Sequence, residues 1–114
     1  MILAVLILNE VEYLDDILKG FVDIGIKGAT VFDSTGMARV IGSSGDIPVY
    51  GLLRRVLHPE YETNKTILTV IEEAQYDMMK KKINDVTGGL SKPDSGILFT
   101  LPVLTSEGIG GKND

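Results

Sequence analysis

Apolar positions along the chain fall either in short unbroken runs or at intervals of three and four, and this alternation predicts strands and helices in turn. Ile2 to Leu8 is apolar throughout, which suits a central strand buried on both faces. Val11, Leu14, Leu18, Phe21 and Val22 then recur at helical spacing. Asn9 stands where it would cap that helix, and Glu12 follows three residues on, as in a capping box. Glu12, Asp15, Asp16, Lys19 and Asp23 occupy the other face. Asp15 and Asp16 are neighbours in sequence and so point in different directions on a helix, which reads as a solvated face and not as an acid-base or metal pair. Gly25 predicts a left-handed helix end, and residues 28–34 a second strand.

Later in the chain, residues 67–71 read as a third strand and residues 72–87 as a second helix. Tyr76, Met79, Ile83, Val86 and then Leu90 lie on one face of that helix, and Lys80, Lys81 and Lys82 on its charged side. Gly88 and Gly89 close it. Residues 90–95 form a turn-rich loop, and residues 96–103 a fourth strand whose Pro102 suits an edge position. The polar, glycine-rich residues 105–114 read as a flexible tail.

The two halves echo one another. Ile2, Leu3, Ala4, Val5 and Leu6 align with Ile67, Leu68, Thr69, Val70 and Ile71, each run being followed by an acidic helix and a glycine-led strand. Strand, helix, strand twice over predicts an α+β, ferredoxin-like βαββαβ domain over residues 1–104, an antiparallel sheet with both helices on one face. Helices on one face leave the other uncovered, yet the first strand is apolar on both. The expected bare patch exceeds what soluble monomers usually expose, and self-association is the natural remedy.

Residues 34–65 interrupt this regularity with four glycines (Gly36, Gly42, Gly45, Gly51), three arginines (Arg39, Arg54, Arg55), two tyrosines and the single histidine, His58. A connection of about 30 residues between strands far exceeds the usual ~4 to 6, and such excursions tend to carry function. Residues 47–57 hold a short amphipathic pattern that His58 and Pro59 would stop. The excursion from 36 to 65 is expected to be the most mobile internal segment and to be the partner-binding element.

Composition narrows the function classes. A chain of 114 residues is one domain. A net charge of -5 argues against nucleic acid as a general partner. The absence of cysteine removes disulfides, thiolate zinc sites and cysteine nucleophiles, and is compatible with a cytoplasmic location. The apolar opening is too short to span a membrane and has no basic leader, so no membrane insertion is expected. His58 has no second histidine and no nucleophile motif around it. Gly42, Ser43, Ser44 and Gly45 do not form a nucleophile elbow, and the glycines from Gly108 to Gly111 lack the spacing of a Walker loop. No catalytic residue and no metal site is expected, and the chain reads as a non-enzyme. Two glycine-bearing turns at strand ends, 36–39 and 88–96, would bring backbone N–H groups and cationic side chains toward phosphate oxygens.

The run Gly28, Thr30, Val31, then Thr35, Gly36, Met37, Ala38, Arg39, a long loop, Thr87 with Gly88, and a last strand ending Leu101, Pro102, Val103 resembles the PII nitrogen-regulatory signalling proteins and their PII-like relatives. The resemblance spans residues 1–103. It implies a homotrimer of ferredoxin-like subunits with their sheets facing inward. It also implies adenine nucleotides (ATP, ADP or AMP) as ligands in clefts between subunits, and a T-loop, here residues 36–65, that presses on a target enzyme or membrane transporter. By position it assigns Thr30 to the adenine ring, Gly36, Met37, Ala38 and Arg39 to the base of the T-loop, and Thr87, Gly88, Gly89 and Gly96 to the phosphate loop. Lys92, in a lengthened phosphate loop, is a candidate cation for the phosphates, as are Arg54, Arg55 and Lys112. The chain departs from the family pattern at Ala38, where glycine is expected, and at Val40, where a glutamine helps to hold magnesium and 2-oxoglutarate. It departs again at Ile97, where lysine is expected, and beyond Val103, where two phosphate-gripping arginines are missing. Two other readings stand beside this one: a trimeric ferredoxin-like protein that binds a metal or another anion, and a small enzyme on the same superfold.

Overall fold

The structure, a computed structural model, describes residues 1–37 and 63–109. They form strands β1 (Ile2–Leu8), β2 (Thr30–Ser34), β3 (Asn64–Ile71) and β4 (Gly96–Pro102), and helices α1 (Leu14–Asp23) and α2 (Tyr76–Thr87). Single 3-10 turns, Val11–Tyr13 and Glu73–Gln75, lead into the two helices. The strands make one sheet in the order β2-β3-β1-β4, and every neighbouring pair is antiparallel. This α+β arrangement is compatible with a ferredoxin-like fold. Ala38, Arg39 and the amphipathic stretch 47–57 lie outside the described residues, as do residues 110–114.

The continuous apolar run of β1 earns its central place by pairing on both sides. Val5 stands opposite Leu68 of β3 and Phe99 of β4, and Leu6 opposite Ile67 and Leu98. Alternate residues therefore serve two different environments. Ala4, Leu6 and Leu8 of β1 and Ile67 and Ile71 of β3 cluster with Ile17 and Phe21 of α1, Ile26, and Met79 and Ile83 of α2. Both helices thus cover the same face of the sheet. The helical periodicity expected for α2 holds, with Met79 and Ile83 fully buried and Tyr76, Val86 and Leu90 packed around them.

On the other face the cross-strand rows are Thr30, Leu68, Val5 and Phe99, then Phe32, Thr66, Ile7 and Ile97, then Val70, Leu3 and Leu101. Among the described residues no helix or strand covers these rows, and only Gly108 and Ile109 reach them, at the foot beside Leu3, Thr30, Leu68 and Val70. Phe32, Ile97, Phe99 and Leu101 are 43 to 58% exposed, high values for large apolar side chains in a sheet. Toward one end the face turns polar. The Ser34 hydroxyl donates to Asn64 Oδ1 and meets Thr66 Oγ1 at 2.6 Å, while Asn64 Nδ2 donates to Asn9 Oδ1 at 2.9 Å.

That network corrects the expected start of the first helix. Neither turn leading into α1 has a side-chain cap bond, so the capping box of Asn9 and Glu12 does not form. Asn9 directly follows β1, where the buried Asn64 of β3 offers its side chain a partner. A capping box does form ahead of α2: the Glu72 N–H donates to Gln75 Oε1 at 2.9 Å, and the Glu72 side chain accepts in return. Strand bounds shift too. β2 starts at Thr30, two residues later than the pattern predicts, and β3 starts at Asn64, three residues earlier, which takes Asn64 and Lys65 out of the excursion. Gly25 behaves as expected, with φ of +87° at the end of α1.

Candidate functional site

The loop between α2 and β4 gathers five of the residues singled out in the sequence. Thr87, the last residue of α2, is buried. Its hydroxyl donates to the Ile83 carbonyl at 2.8 Å and accepts from the Gly89 N–H at 3.2 Å. Gly88 caps the helix in the left-handed region, φ +86°, and its N–H donates to the Asn84 carbonyl at 2.9 Å. The Leu90 N–H donates to Asn84 Oδ1 at 2.9 Å, and the Ser95 hydroxyl to the Gly89 carbonyl at 3.1 Å.

Lys92 folds back over this cap. Its ammonium donates to the Thr87 carbonyl at 2.5 Å and lies 3.6 Å from Glu10 Oε1. A cation at a helix C-terminus satisfies orphan carbonyls and complements the helix dipole. Gly88 leaves room for it, since a Cβ there would stand 3.3 Å from the Lys92 ammonium. Gly96 has a separate reason to be glycine: a Cβ would lie 2.6 Å from the Ile7 carbonyl oxygen, on the neighbouring β1. The loop is therefore internally bonded. The N–H groups of Gly88, Gly89 and Leu90, and the Lys92 ammonium, already have acceptors within the chain, so a phosphate would exchange for these bonds and not fill empty ones.

Gly36 and the exposed Met37 follow β2 at the same end of the sheet, but at its other edge. Three strand spacings separate the β2 and β4 edges, about 14 Å. Thr30 lies at the opposite end of β2. A single chain accordingly does not bring its candidate residues together. Thr87, Gly88, Gly89, Lys92 and Gly96 form one group, Gly36 and Met37 another, and Thr30 stands apart. Among the described residues no cluster of three or more His, Cys, Asp or Glu side chains suits a metal ion, and no described helix is long and apolar enough to cross a membrane.

Thr30 belongs to a feature that sequence reasoning missed, a half-open cavity of about 850 Å³ at the foot of the sheet. Its walls include Leu3, Leu68, Val70, Glu72 and, from the C-terminal segment, Ile109. That volume is within the range of small-molecule sites. It exists because β2 pairs with β3 only as far as Leu68, so the lower end of β3, paired with β1 on one side, has no described strand on the other. The Thr69 hydroxyl bridges part of the gap by donating to the Gly28 carbonyl at 2.6 Å. The late start of β2 was the signal to look for, and an apolar count cannot find it.

Compared with known proteins, the chain matches no protein-family model and no curated protein.

Proposed function

We propose that this chain is a non-enzymatic, PII-like regulator with a ferredoxin-like fold. It works as a homotrimer in the cytoplasm, takes an adenine nucleotide between subunits, and acts on a target enzyme or transporter through residues 36–65. The observation that carries the reading is the bare apolar sheet face, with Phe32, Ile97, Phe99 and Leu101 exposed across it. A face of that kind asks for another copy of itself or a partner. The separation of the candidate residues supports the same arrangement. Gly36 and Met37 sit at the β2 edge and the group from Thr87 to Gly96 at the β4 edge. Closing subunits into a ring brings the first edge of one copy beside the second edge of the next, and so completes a site that one chain leaves in halves. Arg39 of one subunit and Lys92 of its neighbour are the cations proposed to face the phosphates across that junction.

Calorimetry with ATP, ADP and AMP tests the nucleotide part of the reading. Arg39→Ala removes one charge-assisted contact, about 1.5 to 3 kcal/mol, so affinity should fall roughly tenfold to a hundredfold. Tight binding indifferent to Arg39 would move the site elsewhere. A second reading, the same trimer taking a smaller anion, is favoured by the internally bonded loop from Gly88 to Lys92 and by Ile97 in place of the family lysine. Including bicarbonate, cyclic nucleotides and 2-oxoglutarate in a thermal-shift screen separates the two, since only the second reading expects a shift from a small anion and none from nucleotide.

A further inference from the structure

The chain does not end at its last strand. After Pro102 the Val103 N–H donates to the Met1 carbonyl at 3.3 Å, which ties the outgoing segment to the foot of β1. Val103 is half-buried, residues 104–108 are exposed, and Ile109 is half-buried again. Gly108, φ +84°, turns the backbone just before Ile109. Both Gly108 and Ile109 line the cavity that holds Leu3, Thr30, Leu68 and Val70. Leaving the β4 edge, the segment therefore crosses the foot of the sheet and reaches the end of β3 that β2 leaves unpaired.

The pattern of burial is that of a strap and not of a brace. A structural brace buries its middle, whereas this segment is held at Val103, exposes Leu104 to 93%, and touches the cavity only at its far end through one apolar side chain. The glycine before that side chain supplies a backbone conformation that other residues rarely adopt. We propose that residues 103–109 are a movable wall of the cavity, closing on its ligand through Ile109. The ligand class follows from the walls: the apolar Leu3, Leu68, Val70 and Ile109 together with the polar Lys27, Thr30, Glu72 and Gln75 suit a flat ring with polar edges. This rests on the proposed adenine nucleotide, whose base is such a ring.

The 114-residue chain has no cysteine, so Ile109→Cys accepts a polarity-sensitive fluorophore at that position alone. Emission should move toward that of a less polar setting when ADP or ATP is added. In calorimetry, Ile109→Ser should weaken nucleotide binding roughly tenfold, the scale of one lost apolar contact, while Ile109→Val stays near wild type. If wild type binds nucleotide and Ile109→Ser binds it equally well, the strap is overturned and the nucleotide reading stands. If wild type binds no nucleotide, that reading falls, and hydrogen exchange decides the strap by itself. Amides of residues 28–30 and 69–71 that exchange faster in Ile109→Ser than in wild type uphold the wall for another ligand, and equal rates there overturn it.

Discussion

Gly96 shows how a residue that resembles part of a ligand loop has a second reason to be what it is. The 2.6 Å approach to the Ile7 carbonyl means that any side chain must push β4 away from β1 at the start of their pairing. Gly96→Ala should lower stability by about 1 to 3 kcal/mol, the usual range for overpacking against a backbone that cannot give. Urea unfolding checks it, and a variant as stable as wild type would contradict the close contact. Lys92 has the same double character. Lys92→Met keeps the stem but removes the cap on Thr87 and the cation beside Glu10, whose Oε1 has no hydrogen-bond partner among the described residues. Lys92 is partly exposed, so screening keeps the expected loss modest, about 0.5 to 1.5 kcal/mol. Stability unchanged in Lys92→Met would mean that the ammonium is free for a ligand.

At the scale of elements, β1 and α2 were legible in the sequence because their patterns have one meaning. An unbroken run from Ile2 to Leu8 needs two neighbours and a covered face, and Met79 with Ile83 needs a core on one side of a helix. Ile83→Ala should accordingly cost about 2 to 5 kcal/mol in the same urea assay, and a loss under 1 kcal/mol would place Ile83 outside the core. The beginnings of α1 and β3 were not legible. Asn64 and Thr66 are polar but buried, satisfied by Ser34 and Asn9 from two other elements, so their pattern looks like loop. Asn9 looks like a helix cap until Asn64, 55 residues away, claims its side chain. The candidate site follows the same division. Glycines near strand ends were visible, while the internal bonding of the loop after Thr87 and the reach of Ile109 to the cavity depend on contacts that local spacing does not encode.

For the whole molecule, the decisive feature is the sheet face opposite the helices. With strands ~4.8 Å apart and ~3.3 Å per residue, four short strands present on the order of 400 Å², as large as the largest apolar patch on a typical monomer. Its central row is apolar at Leu68, Val5 and Phe99, with the polar Thr30 only at the β2 edge. A charge placed there should be tolerated by a lone chain, where Phe99 is 43% exposed, but not by an assembly that buries it. Phe99→Glu should therefore leave a folded subunit, by circular dichroism, that no longer associates with its copies. The proposed function depends most directly on the oligomeric state of the unmodified chain, measured by light scattering on a sizing column at micromolar concentration. The predicted result is a mass about three times the 12.4 kDa of one chain; a single species at 12.4 kDa would contradict both the covered face and the site shared between subunits.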